Sequence, residues 1–166
     1  MRILMMLTAG RGSRSSRPLG LHHVIEPYYV LQDAGTEVVV VSLLGGDPPF
    51  RGSRTWSAQA ITALERFRGD RQARDAISDT LAFAQIFPED FDGGICIGAL
   101  ERQAEGDDAV AALRLVTALL ASGKRVAVVP GDLFAPQAPL EGVPTTGDQV
   151  RSPRLAAKAL LAALDA

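Results

Sequence analysis

The sequence has 166 residues, the length of one domain, and 47% of them are apolar, which supports a sizeable core and excludes wholesale disorder. Seventeen basic residues stand against 19 acidic ones, for a net charge of −2, so the basic field that a dedicated nucleic-acid binder needs is missing. A single cysteine, Cys96, excludes a disulfide scaffold within the chain and a multi-cysteine metal site.

Residues Arg2 to Thr8 open the chain as a short apolar run. It reads as a buried strand rather than a signal peptide, because Gly10 to Ser16 is an Arg/Ser-rich loop and not a small-residue cleavage site. Leu21 to Ala34 has helical spacing and stops at Gly35. Glu37 to Ser42 is a second apolar run, and Asp47 to Ser57 a polar excursion that contains Phe50 and Trp56. These two aromatics either cover the edge of the core or belong to an interface. Asp70 to Ile86 places Ala73, Ala76, Ile77, Thr80, Leu81 and Ala84 at helical spacing. Gly93 to Ile97 is a third apolar run. Asp107 to Ser122 predicts a helix with acids in its first turn and Gly123-Lys124 at its end. Arg125 to Val129 is the fourth run, and Phe134 to Val150 is irregular. Ser152-Pro153 reads as an N-cap and first-turn proline that open a last helix to Leu164.

Short continuous apolar runs of this kind are strands covered on both faces. Alternation with helices predicts one α/β domain, residues 1–166, with an open, doubly wound parallel sheet in a flavodoxin-like three-layer sandwich. Sites in such sheets gather at the carboxyl ends of the strands. No run reaches the roughly 18–20 apolar residues of a membrane helix. The expectation is a cytoplasmic protein with no membrane and no nucleic-acid partner.

The run Pro27-Tyr28-Tyr29-Val30-Leu31-Gln32-Asp33-Ala34-Gly35-Thr36-Glu37-Val38, followed by Ser42-Leu43-Leu44-Gly45-Gly46-Asp47-Pro48-Pro49, resembles a signature of the ThiJ/PfpI superfamily, which has a class I glutamine-amidotransferase-like fold. Asp79-Thr80, Asp90-Phe91-Asp92-Gly93 and Arg125 to Val129 resemble further parts of it, and the likeness extends over nearly the whole chain. It implies a homodimer. It also implies a nucleophilic cysteine after the fourth strand, but Pro130-Gly131-Asp132 stands there. Proline offers neither a nucleophile nor an N–H. The glutamate that the family sets four residues before the matched proline falls on His23, or on His22 with a one-residue slip, with Glu26 near. The family's Gly-Gly turn reads Gly98-Ala99. The stretch from Pro130 to the last helix is shorter than in the family, which implies a shortened C-terminal half.

Cys96 lies inside the third strand, where a free thiol reads as core. No Gly-x-Ser-x-Gly elbow exists to make Ser13, Ser15 or Ser16 a nucleophile. His22 and His23 point about 100° apart on a helix and are not expected to work as a pair. His23, Glu26, Glu101 and Asp132 remain as acid–base candidates, since a His/carboxylate cluster at the strand ends suits proton transfer or a divalent ion. Gly10, Gly98, Ala99, Pro130 and Gly131 are the candidate binding residues along the same rim. Gly10-x-Gly12 with Arg11, Arg14 and Arg17 suits an anion, yet Pro18 and Gly20 delay the helix that a dinucleotide fingerprint needs. No cofactor or resident metal is expected.

Three functions follow. One is a catalytically silent protein that binds a small molecule or a partner. The second is an enzyme acting on a small carbonyl or amide compound through His23, Glu101 and Asp132, without a covalent cysteine intermediate. The third is a structural subunit of an assembly.

Overall fold

The computed structural model describes residues 1–8, 19–50, 57–98, 107–129 and 152–165. All four expected strands form: β1 (Arg2–Leu7), β2 (Glu37–Ser42), β4 (Gly93–Ile97) and β5 (Arg125–Val129). A two-residue strand, β3 (Leu81–Ala82), adds an edge, and the parallel sheet has the order β3-β2-β1-β4-β5. The expected shortening between β5 and the last helix falls on residues 130–151, outside the described residues.

Side chains alternate across the sheet because strand periodicity is two. Ile3, Met5, Leu7, Ile95, Ile97, Ala127 and Val129 face one core. Leu4, Met6, Val41, Cys96, Val126 and Val128 face the other. On the first face lie α1 (His22–Asp33) and α5 (Pro153–Leu164), with α2 (Ala58–Gly69) against α1 and α3 (Arg71–Ser78) next to it. On the second face lies α4 (Asp107–Ala121), through Ala112, Leu115, Val116 and Leu119. Helices cover both faces, which explains why the strands read as unbroken apolar runs. Gly94 sits where a Cβ would come within 2.9 Å of Leu119 Cδ1, so a glycine there lets α4 seat closely on β4.

The helix ends follow their sequence signals. Gly35 (φ +76°) and Gly123 (φ +73°) take the left-handed conformation that stops α1 and α4. Ser152 Oγ accepts from the Leu155 N–H at 3.4 Å and caps α5, with Pro153 in its first turn.

One expectation needs correction, and one helix is added to the expected elements. The helix expected over Asp70 to Ile86 ends at Ser78. Thr80 is drawn out of it by tertiary bonds: its N–H donates to Gly46 O (3.2 Å), its carbonyl accepts from Gly46 N (2.8 Å), and its hydroxyl reaches Gly46 O and Ser42 Oγ. The chain then runs into β3 and a short 3₁₀ turn, Phe83–Gln85. Residues 58–69 form α2, which the sequence reading left without an element. Its apolar face is thin, and it rests on α1 rather than on the sheet. Phe50 packs at the edge of the first core, as one of its two readings held; Trp56 lies outside the described residues.

Candidate functional site

The neighbours of β1 are β2 on one side and β4 on the other, so the chain winds in opposite directions from β1. The carboxyl ends of β1 and β4 therefore flank the crevice where such sheets bind ligands. Thr8 and Gly98 stand there. Thr8 N donates to Ile97 O (3.1 Å), its hydroxyl also reaches Ile97 O (3.3 Å), and Gly98 N donates to Val129 O (3.1 Å). Gly98 has φ +121°, and a Cβ on it would overlap Thr8 Oγ1. A glycine is required at this turn.

Parallel strands return through helices, so each helix that follows a strand begins at the carboxyl edge of the sheet. The N-terminal ends of α1, α2 and α5 meet there around a hollow of about 240 Å³. α1 supplies His22, His23 and Glu26. The other two helices supply Ser57, Ser152, Pro153 and Arg154. Ser57 Oγ accepts from Ala60 N at 3.1 Å and caps α2, just as Ser152 caps α5. Glu26 is four residues from His22 and three from His23, so it neighbours each of them on the helix surface.

The two histidines do come together, contrary to expectation. Their ring centroids are 3.9 Å apart with planes tilted by 48°. At the first turn no preceding turn crowds the side chains, and the rings swing toward each other although their Cα–Cβ bonds diverge. Burial, and then the neighbouring His23, lower the His22 pKa and favour its neutral form. Burial raises the Glu26 pKa, with Arg154 opposing the shift. The His22 imidazole and the Glu26 carboxyl group are therefore displaced toward neutrality beside one permanent cation.

A second hollow of about 280 Å³ adjoins it and shares Glu26 and Arg154. Its wall is fixed by a network that joins α1, α2 and α3. Arg66 pairs with Asp33 at 2.8 Å and its guanidinium lies 3.9 Å from the Tyr29 ring centroid. The Tyr29 hydroxyl donates to Asp70 Oδ2 at 3.3 Å, and Asp70 caps α3 through Ala73 N. Burial and the Asp70 charge push the Tyr29 phenol up to about 12, so it stays a donor.

Cys96 is wholly buried in β4, and burial pushes its thiol up to about 12. It is a packing residue, as the sequence reading held. Among the described residues, no cluster of three or more His, Cys, Asp or Glu side chains fits a metal ion, and no helix is long and apolar enough to cross a membrane.

His23 and Glu26 thus line one hollow. Gly98 lies at the rim and is not part of its lining. Gly10, Ala99, Glu101, Pro130, Gly131 and Asp132 lie outside the described residues, as do Gly12 and Arg11, Arg14 and Arg17. Sequence reasoning did not mark Ser57 or Arg154 as site residues. The available signal was the N-cap: Ser152-Pro153 was legible as a helix start, and Ser57 before Ala58-Gln59-Ala60 carries the same mark.

Solved structures with this layout decide the fold. A ThiJ/PfpI domain protein from Brachyspira murdochii superposes with a TM-score of 0.56 at 12% identity, covering 99% of this chain and 95% of that one. The chain has the ThiJ/PfpI fold. Glyoxalase III from Candida albicans gives a TM-score of 0.58 at 13% identity, with 98% and 96% covered. The Rapid Encystment Protein of Francisella tularensis gives 0.57 at 15% identity over 76% of this chain, which spans only 57% of that protein. No protein-family model matches the sequence, and no curated protein matches it either.

Proposed function

We propose that this ThiJ/PfpI-like protein binds a small molecule at the hollow between α1, α2 and α5, without cysteine chemistry. One observation carries this reading: the sole thiol is sealed inside β4, whereas His22, His23, Glu26 and Arg154 line the hollow at the carboxyl edge of the sheet. A thiol must ionise and reach its substrate to act as a nucleophile, and Cys96 can do neither. A hollow of about 240 Å³ suits a compact ligand rather than a dinucleotide.

A thermal-shift panel of small aldehydes, keto acids, amides, sugar phosphates and nucleotides tests the reading. A ligand at 100 times its Kd adds about 2.7 kcal/mol of stability. A hit whose shift is lost in Arg154→Gln or His23→Ala supports the site. A hit that both variants retain places binding elsewhere, and no shift across the panel overturns the reading in favour of a protein-binding or structural role.

A second reading is acid–base catalysis on a small carbonyl or amide compound. It is favoured by the pairing of a neutral-leaning His22 and a proton-retaining Glu26 in one hollow, since such displaced groups suit proton transfer near neutrality. Turnover of a panel compound that His23→Ala abolishes and Cys96→Ala leaves intact would favour this reading over silent binding.

A further inference from the structure

The chemistry of the hollow narrows its ligand, given that the hollow is a binding site at all. Arg154 is the group on its described lining that carries a permanent charge. Glu26 is the carboxyl group there, and it also borders the adjoining hollow. His22 and His23 stand ring to ring at the opening turn of α1. Two imidazoles and one carboxyl group can take up three protons among them, and each proton makes the hollow more positive. Beyond Glu26, in the adjoining hollow, the Asp33 and Arg66 charges are matched to each other at 2.8 Å and add little net field. The starting ends of α2 and α5 contribute partial positive charge, but Arg154 and the imidazoles define the site.

We propose that the hollow is an oxyanion site, in which Arg154 receives the carboxylate or an equivalent oxyanion of a small organic ligand and the His22, His23 and Glu26 cluster takes up a proton from solvent as the ligand binds. The guanidinium offers a planar fork that matches an oxyanion in two places. An ionised Glu26 beside the same guanidinium competes with the incoming anion; a protonated Glu26 stops competing and can donate to it. Binding is therefore coupled to proton uptake and tightens as pH falls.

Propionate, propionamide and sulfate are the probes, titrated by calorimetry into the full chain at pH 5.5 and 7.5. Propionamide matches propionate in shape without its charge, and sulfate keeps its charge at both pH values. The expected result is that propionate or sulfate binds at least tenfold more tightly at pH 5.5, with heats that vary with buffer ionisation as protons are taken up. Arg154→Gln should lose at least tenfold in anion affinity, and Glu26→Gln should remove most of the pH dependence while anion binding survives. An unchanged circular-dichroism spectrum and melting transition qualify each variant. If propionate and sulfate divide, the one that binds identifies the oxyanion shape. Binding of propionamide with neither anion overturns the oxyanion inference and leaves the small-molecule site standing. Anion binding indifferent to both pH and Arg154→Gln overturns it too. If none of the three probes binds while another compound of the ligand panel does, the oxyanion inference fails alone; if that panel is also silent, both fail together.

Discussion

The middle of β4 and the first turn of α1 each hold reactive side chains, a thiol in one and two imidazoles with a carboxyl group in the other, and their surroundings are opposite. Cys96 sits in a strand with a neighbour on each side and helices over both faces, and its thiol is held neutral by burial. His22, His23 and Glu26 sit at a helix start, half-buried, beside a cation and a cavity. A strand interior has the better nucleophile and no access to it. The helix start has weaker nucleophiles with access and adjustable charge. In a parallel sheet, location relative to the carboxyl edge decides which residues can do chemistry, ahead of their intrinsic reactivity.

The sharpest break of this comparison is at the turn that ends β4. Gly98→Ala forces a side chain into a left-handed backbone position and onto Thr8, and should cost about 3 kcal/mol or more. Urea unfolding checks it; a loss below 1 kcal/mol would show that the turn relaxes readily.

Cys96→Ser comes next. It places a hydroxyl in the buried cluster that includes Leu4, Met6 and Leu119, at a cost of roughly 1–3 kcal/mol. The native thiol should resist alkylation until the protein unfolds, and Cys96→Ala should keep full ligand affinity. Rapid labelling under native conditions would contradict the buried assignment.

Ser57→Ala removes the cap of α2 at the edge of the hollow and should lower stability by about 1 kcal/mol. The same measurement on a residue far from the hollow, such as Thr117, whose hydroxyl bonds only within α4, sets the baseline.

The smallest effects are in pH dependence. The His22 pKa is lowered in the folded state, so the unfolded chain takes the proton first as pH falls below 6.5. Stability drops there, and His22→Gln should flatten that drop. The Glu26 pKa is raised, so the folded state holds its proton longer and stability declines as pH rises from about 4.5 through the folded value. Glu26→Gln should remove that decline. Melting curves from pH 4 to 8 separate the two slopes, which have opposite signs.

Much of the fold was legible because burial on both faces leaves a strong mark: four runs such as Ile3 to Leu7 have no polar position in their interiors to confuse them. β3 was not legible, since two residues carry no period and Thr80 is removed from the helix by bonds to Ser42 and Gly46 that lie more than 30 residues away. For the site, the motif beginning at Pro27 pointed to His23 and Glu26. The rapprochement of His22 and His23 was hidden, because backbone geometry alone says that they diverge. Arg154 was hidden because it reaches the hollow from the other end of the chain.

The most direct test exploits the histidine count. The chain has two histidines, and both line the hollow. Imidazole nitrogen and carbon resonances, followed by NMR during titration with a ligand that raises the melting temperature, report on this site and no other. Both imidazoles are expected to shift together and to saturate at the ligand's Kd. A ligand that stabilises the protein while both imidazoles stay unmoved would contradict it.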